Sequence, residues 1–156
     1  MIDVGTIPAF GLSKDDKRNY MLGNMNYLTQ FHIKNCSEYN TLMDKFGHIK
    51  QTYKEVSDVP FIPVRLFKRT NLLSVPKKDI VKTMTSSGTT GQGVSQIFLD
   101  RDTSSLQVKV LSKIMSDFIG TKRLPMLVID SKSIISNREK FSARTAGVLG
   151  FSMFGR

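Results

Sequence analysis

Apolar residues recur at helical spacing over the first third of the chain. Tyr20, Met21, Met25, Leu28, Phe31 and His32 fall three or four apart, which predicts a helix over residues 13–35. Ser13 followed three residues on by Asp16 resembles a capping box at its start, and Gly23 is its one weak interior position. A shorter helix follows Asn35-Cys36-Ser37, with Tyr39, Leu42, Met43 and Phe46 on one face and Gly47 placed to end it. Residues 50–56 fit a further helical piece. The pattern then changes. Pro60 and Pro63 break any helix, so Asp58 to Phe67 reads as an extended crossing segment, with a second short extended piece over Asn71 to Val75.

Ile80 to Met84 reads as a strand entering a Ser/Thr/Gly-rich loop, and Val94 to Leu99 reads as the strand leaving it. Asp102 is placed to cap a third helix whose apolar stripe is Leu106, Val110, Leu111, Ile114, Met115 and Phe118, closed by Gly120. Leu124 to Asp130 is apolar at consecutive positions, as strands buried in parallel sheets are, and Val148 to Phe154 reads as the start of another. Helices first, then strand, loop, strand, helix and strand, make an α/β chain with a helical N-terminal cap. The predicted division is a helical region at residues 1–57 and a partial α/β region at 58–156, which contains the loop.

Composition narrows the picture. A chain of 156 residues with 40% hydrophobic and 23% charged residues is one ordinary globular domain rather than a disordered segment. No apolar run approaches the roughly 20 residues that span a bilayer, and Met1 to Gly11 lacks the pattern of a secretory signal. A single cysteine, Cys36, cannot form an internal disulfide, so a reducing cytoplasm is the expected compartment. The net charge of +10 calls for an anionic partner, but the basic residues are scattered in short clusters and form no stripe. Nucleic acid is therefore not the expected partner. Were it one, affinity would collapse steeply with salt.

The loop carries the chemistry. Ser86-Ser87-Gly88-Thr89-Thr90-Gly91 would arise by chance about once in ten million positions at ordinary residue usage, so its composition calls for a purpose. Glycines let backbone N–H groups converge on an anion, and the hydroxyls add neutral donors that follow phosphate oxygens. A Walker-type loop fails: Gly88, Gly93 and Ser95 have the spacing, but Val94 stands at the lysine position and a strand follows. A plain hairpin turn would use two to five residues of Asn-Gly or Asp-Gly chemistry.

Thr85 to Gly91 matches the ATP phosphate-binding motif of the adenylate-forming superfamily, which includes acyl-CoA synthetases and luciferases. Its wider context resembles the bacterial acyl-protein synthetase of the luminescence fatty-acid reductase complex and relatives near phenylacetate-CoA ligase. His32 to Tyr39, Pro60 to Lys68 and the loop with Gln92 carry that likeness, over most of residues 13–130. The resemblance implies a helical cap followed by part of a large domain, with an incomplete mixed or parallel sheet and flanking helices. It implies a ligase: a carboxylic acid, fatty or otherwise, attacks the α-phosphate of ATP, and the acyl group passes to a thiol of a protein or of CoA. Thr85, Ser86, Ser87, Gly88, Thr89, Thr90 and Gly91 would embrace the β- and γ-phosphates, with Mg2+ sharing the charge.

The chain departs from the superfamily where Gln92-Gly93-Val94-Ser95 replaces the common Pro-Lys-Gly, so no loop lysine is assigned. The aromatic-Gly-x-Thr-Glu segment, the ribose-binding aspartate and the C-terminal lysine are not found. The chain is thus expected to be an N-terminal fragment, inactive by itself and prone to self-association through an open sheet edge. The alternative is a non-catalytic half-domain that holds phosphate or a partner.

Other residues read more plainly. Cys36 fits helix packing rather than acyl transfer, and Met21, Met25 and Met43 fit core filling. His32 and His48 have no companions at metal-ligand spacing. Arg65, Lys68 and Arg69 fit a solvated basic face better than a phosphate site. Asp130, at the end of a predicted strand, is open to either a ligand-binding or a structural role.

Overall fold

A computed structural model describes residues 6–7, 10–49, 52–86, 94–131 and 143–156. The chain divides into two compact units, Met1–Lys78 and Asp79–Arg156. It is of mixed α/β type, with helices and a small antiparallel sheet.

The first unit is a helical pair with a trailing segment. Helix α1 spans Lys14–Asn35, and Ser13 caps it by accepting a hydrogen bond from the Asp16 N–H at 3.1 Å. The expected capping logic therefore holds. Helix α2, Ser37–Lys45, packs against α1 and ends at Phe46, after which Gly47 takes the left-handed conformation (φ 72°) predicted for it. The core between them is small: Met43 is fully buried, and Cys36, Tyr53 and Thr29 are nearly so. Gly23 is tolerated in α1 because it is solvent-exposed, with nothing within 4 Å of the Cβ position.

Two expectations for this unit are corrected. Residues 50 and 51 lie outside the described residues, and 52–55 are not helical; only a 3-10 turn at Val56–Asp58 appears. The Asn26 side chain explains this, since its Oδ1 accepts from Tyr53 N–H at 2.8 Å while its Nδ2 donates to Tyr53 C=O at 3.0 Å. Both backbone groups of Tyr53 are thus taken by α1. Asp58 to Phe67 is likewise not extended throughout, because Pro63 leads into a 3-10 helix over Val64–Lys68.

The second unit opens with strand β1, Ile80–Thr85, paired antiparallel with β2, Gln96–Asp100. The pairing sets Lys82 opposite Leu99, Met84 opposite Ile97 and Thr85 opposite Gln96, with an irregularity between Ile80 and Lys82. Helix α3, Arg101–Ile119, follows β2 directly and packs on both strands. Its cap is Asp100 rather than the expected Asp102: the Asp100 carboxylate accepts from Thr103 N–H at 2.8 Å. Because the strand feeds the helix without a loop, the last strand residue has the extended backbone a cap requires. The α3 stripe is only partly covered, with Leu106, Ile114 and Phe118 exposed. Gly120 closes the helix at φ 78°.

The larger corrections come after Gly120. Leu124 to Asp130 is not a buried strand. Among the described residues only Leu124 pairs, in an isolated parallel bridge with Gly155, while Leu127 and Ile129 stand 86% and 89% exposed. A strand apolar on both faces is buried only between neighbouring strands with helices on either side, and here it has a single bridging residue. Val148 to Phe154 is not a strand either, since Ala143–Ser152 forms helix α4. Its Gly150 lets the backbone approach α3, where a Cβ would lie 3.0 Å from Leu111 Cδ2. Among the described residues the sheet is therefore an antiparallel pair, not the mixed or parallel one expected.

Candidate functional site

The loop expected to bind phosphate lies between β1 and β2, and its neck is well defined. Beyond the Thr85–Gln96 pair, Ser86 N–H donates to Ser95 C=O at 3.1 Å. In return, Ser95 N–H donates to the Ser86 hydroxyl oxygen at 3.0 Å. The side chain of Ser86 thus supplies the closing bond that the ladder itself does not make. Ser95 is buried at 8% exposure, whereas Ser86 is exposed and Thr85 half-buried. The chain leaves at Ser86 and returns at Ser95 across an opening of one ladder width, about 5 Å.

Thr85 and Ser86 are therefore placed at the loop's entry. Ser87, Gly88, Thr89, Thr90 and Gly91 lie outside the described residues, as do Gln92 and Gly93. Ser86 Oγ accepts from Ser95, and its own proton is left to donate. The nearest strand cation, Lys82, cannot replace the missing loop lysine on Thr85's side. Strand alternation sends Lys82 and Thr85 to opposite faces of the hairpin. The chemistry available at the entry is neutral hydroxyl and amide donation.

Ser95 was not distinguishable in the sequence from any other strand-entry residue. Its role depends on register, which pairs it with Ser86 across the loop.

The histidines are held by local contacts. His32 Nδ1 shares a hydrogen bond of 2.7 Å with Ser74 Oγ, and its ring meets Phe31 and Tyr39 edge-on. Burial pushes the His32 pKa below its ordinary 6.5. His48 Nδ1 lies 3.1 Å from the Tyr53 hydroxyl. Ser74, 42 residues from His32, had no local signal as its partner. Among the described residues, no group of three His, Cys, Asp or Glu side chains could hold a metal ion. Cys36 is buried at 2% exposure at the junction of α1 and α2, with its Sγ 3.7 Å from Glu38 Oε2. Backbone and Ser37 hydrogen bonds hold the Glu38 carboxyl below its usual range. Arg18 pairs with Glu55. An open groove of about 490 Å³ runs along α3 past Ser104, Ser105, Val108, Lys109 and Ser112 to Met153. No described helix is long and apolar enough to cross a membrane.

Comparison with known proteins supplies what geometry alone does not. The family described as "Acyl-protein synthetase, LuxE" matches residues 4–155. A 62-residue stretch is 29% identical to the long-chain-fatty-acid–luciferin-component ligase of Vibrio harveyi. That stretch covers 40% of this chain and only 16% of the relative's length. No solved structure matches the chain.

Proposed function

The chain belongs to the acyl-protein synthetase family LuxE, and from that membership we propose that it contributes the N-terminal, phosphate-binding part of an ATP-dependent carboxylate-activating ligase. The family match across residues 4–155 is the observation that carries this reading. The relative's name supports a long-chain fatty acid as the substrate.

The reaction balances in two steps. A carboxylate oxygen attacks the α-phosphorus of ATP and pyrophosphate leaves, giving an acyl-adenylate. A thiolate then attacks the acyl carbon and AMP leaves, producing a thioester on an acceptor protein, with CoA the alternative acceptor. The chain's part in this is to hold the β- and γ-phosphates while the leaving charge develops. Its residue types suit that role, since the hydroxyls of Thr85, Ser86, Ser87, Thr89 and Thr90 are neutral donors and glycines such as Gly88 and Gly91 let a backbone approach an anion closely. The hydrogen bonds between Ser86 and Ser95 fix the two ends from which the loop departs. Mg2+ bound with ATP would share the phosphate charge.

Carboxylate-dependent exchange of pyrophosphate into ATP tests the proposal, on this chain and on a longer polypeptide containing it, over fatty and aromatic acids. Exchange that depends on a long-chain acid supports the ligase. Absence of exchange from both, with ATP still protecting residues 85–91 from proteolysis, leaves a phosphate-binding module and removes the enzymatic reading.

A further inference from the structure

Residues 59–78 contain five Lys or Arg and no Asp or Glu. Within them lies an apolar knuckle that the first unit leaves uncovered. Phe61 is 88% exposed and Val64 is 72% exposed. Pro60 and Pro63 bracket Phe61, and Pro63 (φ −61°) starts the 3-10 helix Val64–Lys68. That helix is held by Leu66 N–H to Pro63 C=O at 2.9 Å, then by Arg69 N–H and Thr70 N–H to Leu66 C=O at 2.9 and 2.8 Å. Leu66 and Phe67 are half-buried, while Arg65, Lys68 and Arg69 are exposed. At three residues per turn, Arg65 and Lys68 lie one above the other. None of these three side chains forms an ion pair among the described residues.

We propose that this knuckle is a docking surface for an anionic phospholipid bilayer. Phe61 and Val64 enter the headgroup–acyl boundary, and Arg65, Lys68 and Arg69 meet the lipid phosphates around them. The combination selects the partner. A single-stranded nucleic acid would use the three cations and could stack a base on Phe61, but it offers nothing to the exposed Val64, whereas an interface binder uses both apolar side chains and the positive charge beside them. The prolines stiffen the tip, so little conformational freedom is lost on insertion. Charge complementarity extends to the whole chain, whose net charge is +10. The surface would bring the protein to the phase into which long-chain acids partition, but binding itself requires neither ATP nor acid. Its failure would leave the ligase proposal untouched.

The chain contains no tryptophan, so Phe61→Trp places a single reporter at the tip. Its emission is followed on titration with vesicles of phosphatidylcholine containing about 30% phosphatidylserine, and with phosphatidylcholine alone. The expected result is a blue shift with the anionic vesicles only, reversed by high salt. Adding Arg65→Gln, Lys68→Gln and Arg69→Gln should weaken partitioning on the order of a hundredfold, at roughly fivefold per removed cation. Phe61→Ser, measured by vesicle sedimentation, should weaken binding without changing its salt dependence. No blue shift, or equal binding by the triple glutamine variant, overturns the proposal. So does a single-stranded oligonucleotide that shifts the F61W emission where the vesicles do not.

Discussion

Replacing Ser86 by alanine isolates what the loop's neck contributes. The substitution removes the hydroxyl oxygen that accepts from Ser95 N–H at 3.0 Å but leaves the backbone bond from Ser86 N–H to Ser95 C=O. A hydrogen bond of this kind is worth about 1 kcal/mol net, and an orphaned buried donor costs about 1–3 kcal/mol. Ser95 is 8% exposed, so its N–H has little access to replacement water, and a loss of about 1–2 kcal/mol follows. For a chain of this size each kcal/mol lowers Tm by about 2–4 °C. Ser86→Thr, which keeps the oxygen, should lose much less. The assay is urea denaturation of the second unit's signal together with hydrogen exchange at the Ser95 amide. That amide should exchange roughly 5–30-fold faster in S86A. Unchanged stability with unchanged Ser95 protection would refute the claim that the Ser86 side chain closes the loop.

Other consequences are open to measurement. Asp100→Ala should cost about 1 kcal/mol by removing the α3 cap, while Asp102→Ala should cost about 0.3 kcal/mol, read from paired thermal melts. Burial lowers the His32 pKa in the folded chain, so on acidification the unfolded chain takes up that proton first. Stability from this residue is therefore complete above about pH 6.5 and is lost as pH falls from there through the folded value, a slope that His32→Gln should flatten. Leu127 and Ile129 are 86% and 89% exposed, so sedimentation velocity is expected to show concentration-dependent self-association that Leu127→Ser with Ile129→Ser reduces, and a monomer at high concentration would refute this.

Elements whose signals are local were legible in the sequence. The Ser13–Asp16 cap, Gly47 and Gly120 each act within a turn of the helix they bound, and each does so in the structure. The two strands flanking the loop were legible for a similar reason, since short β-rich runs bracket a segment rich in Ser, Thr and Gly. Elements that depend on distant neighbours were not. Leu124 to Ile129 is apolar enough for a buried strand, but burial needs strands on either side, and among the described residues only Gly155 bridges it. Val148 to Phe154 is a short apolar run without period, which cannot be told from helix by pattern alone. Tyr53 was withdrawn from a helix by Asn26, 27 residues earlier, a pairing no window of local sequence contains. At the site, the expectation of phosphate rests on the loop's composition, whereas its closure by Ser95 emerged only from strand register.

Isotope transfer tests the central claim most directly. A long-chain acid labelled with 18O in its carboxylate is supplied with ATP, Mg2+ and a thiol acceptor to the protein. Attack of the carboxylate on the α-phosphorus requires that one labelled oxygen leave in AMP when the thioester forms, so AMP should gain one 18O per turnover. Label in inorganic phosphate instead would mean that the acid is activated as an acyl phosphate. Product formed with label in neither would exclude phosphoryl activation of the acid, and either result would contradict the assignment of residues 85–91 to the β- and γ-phosphates of an adenylate-forming ligase.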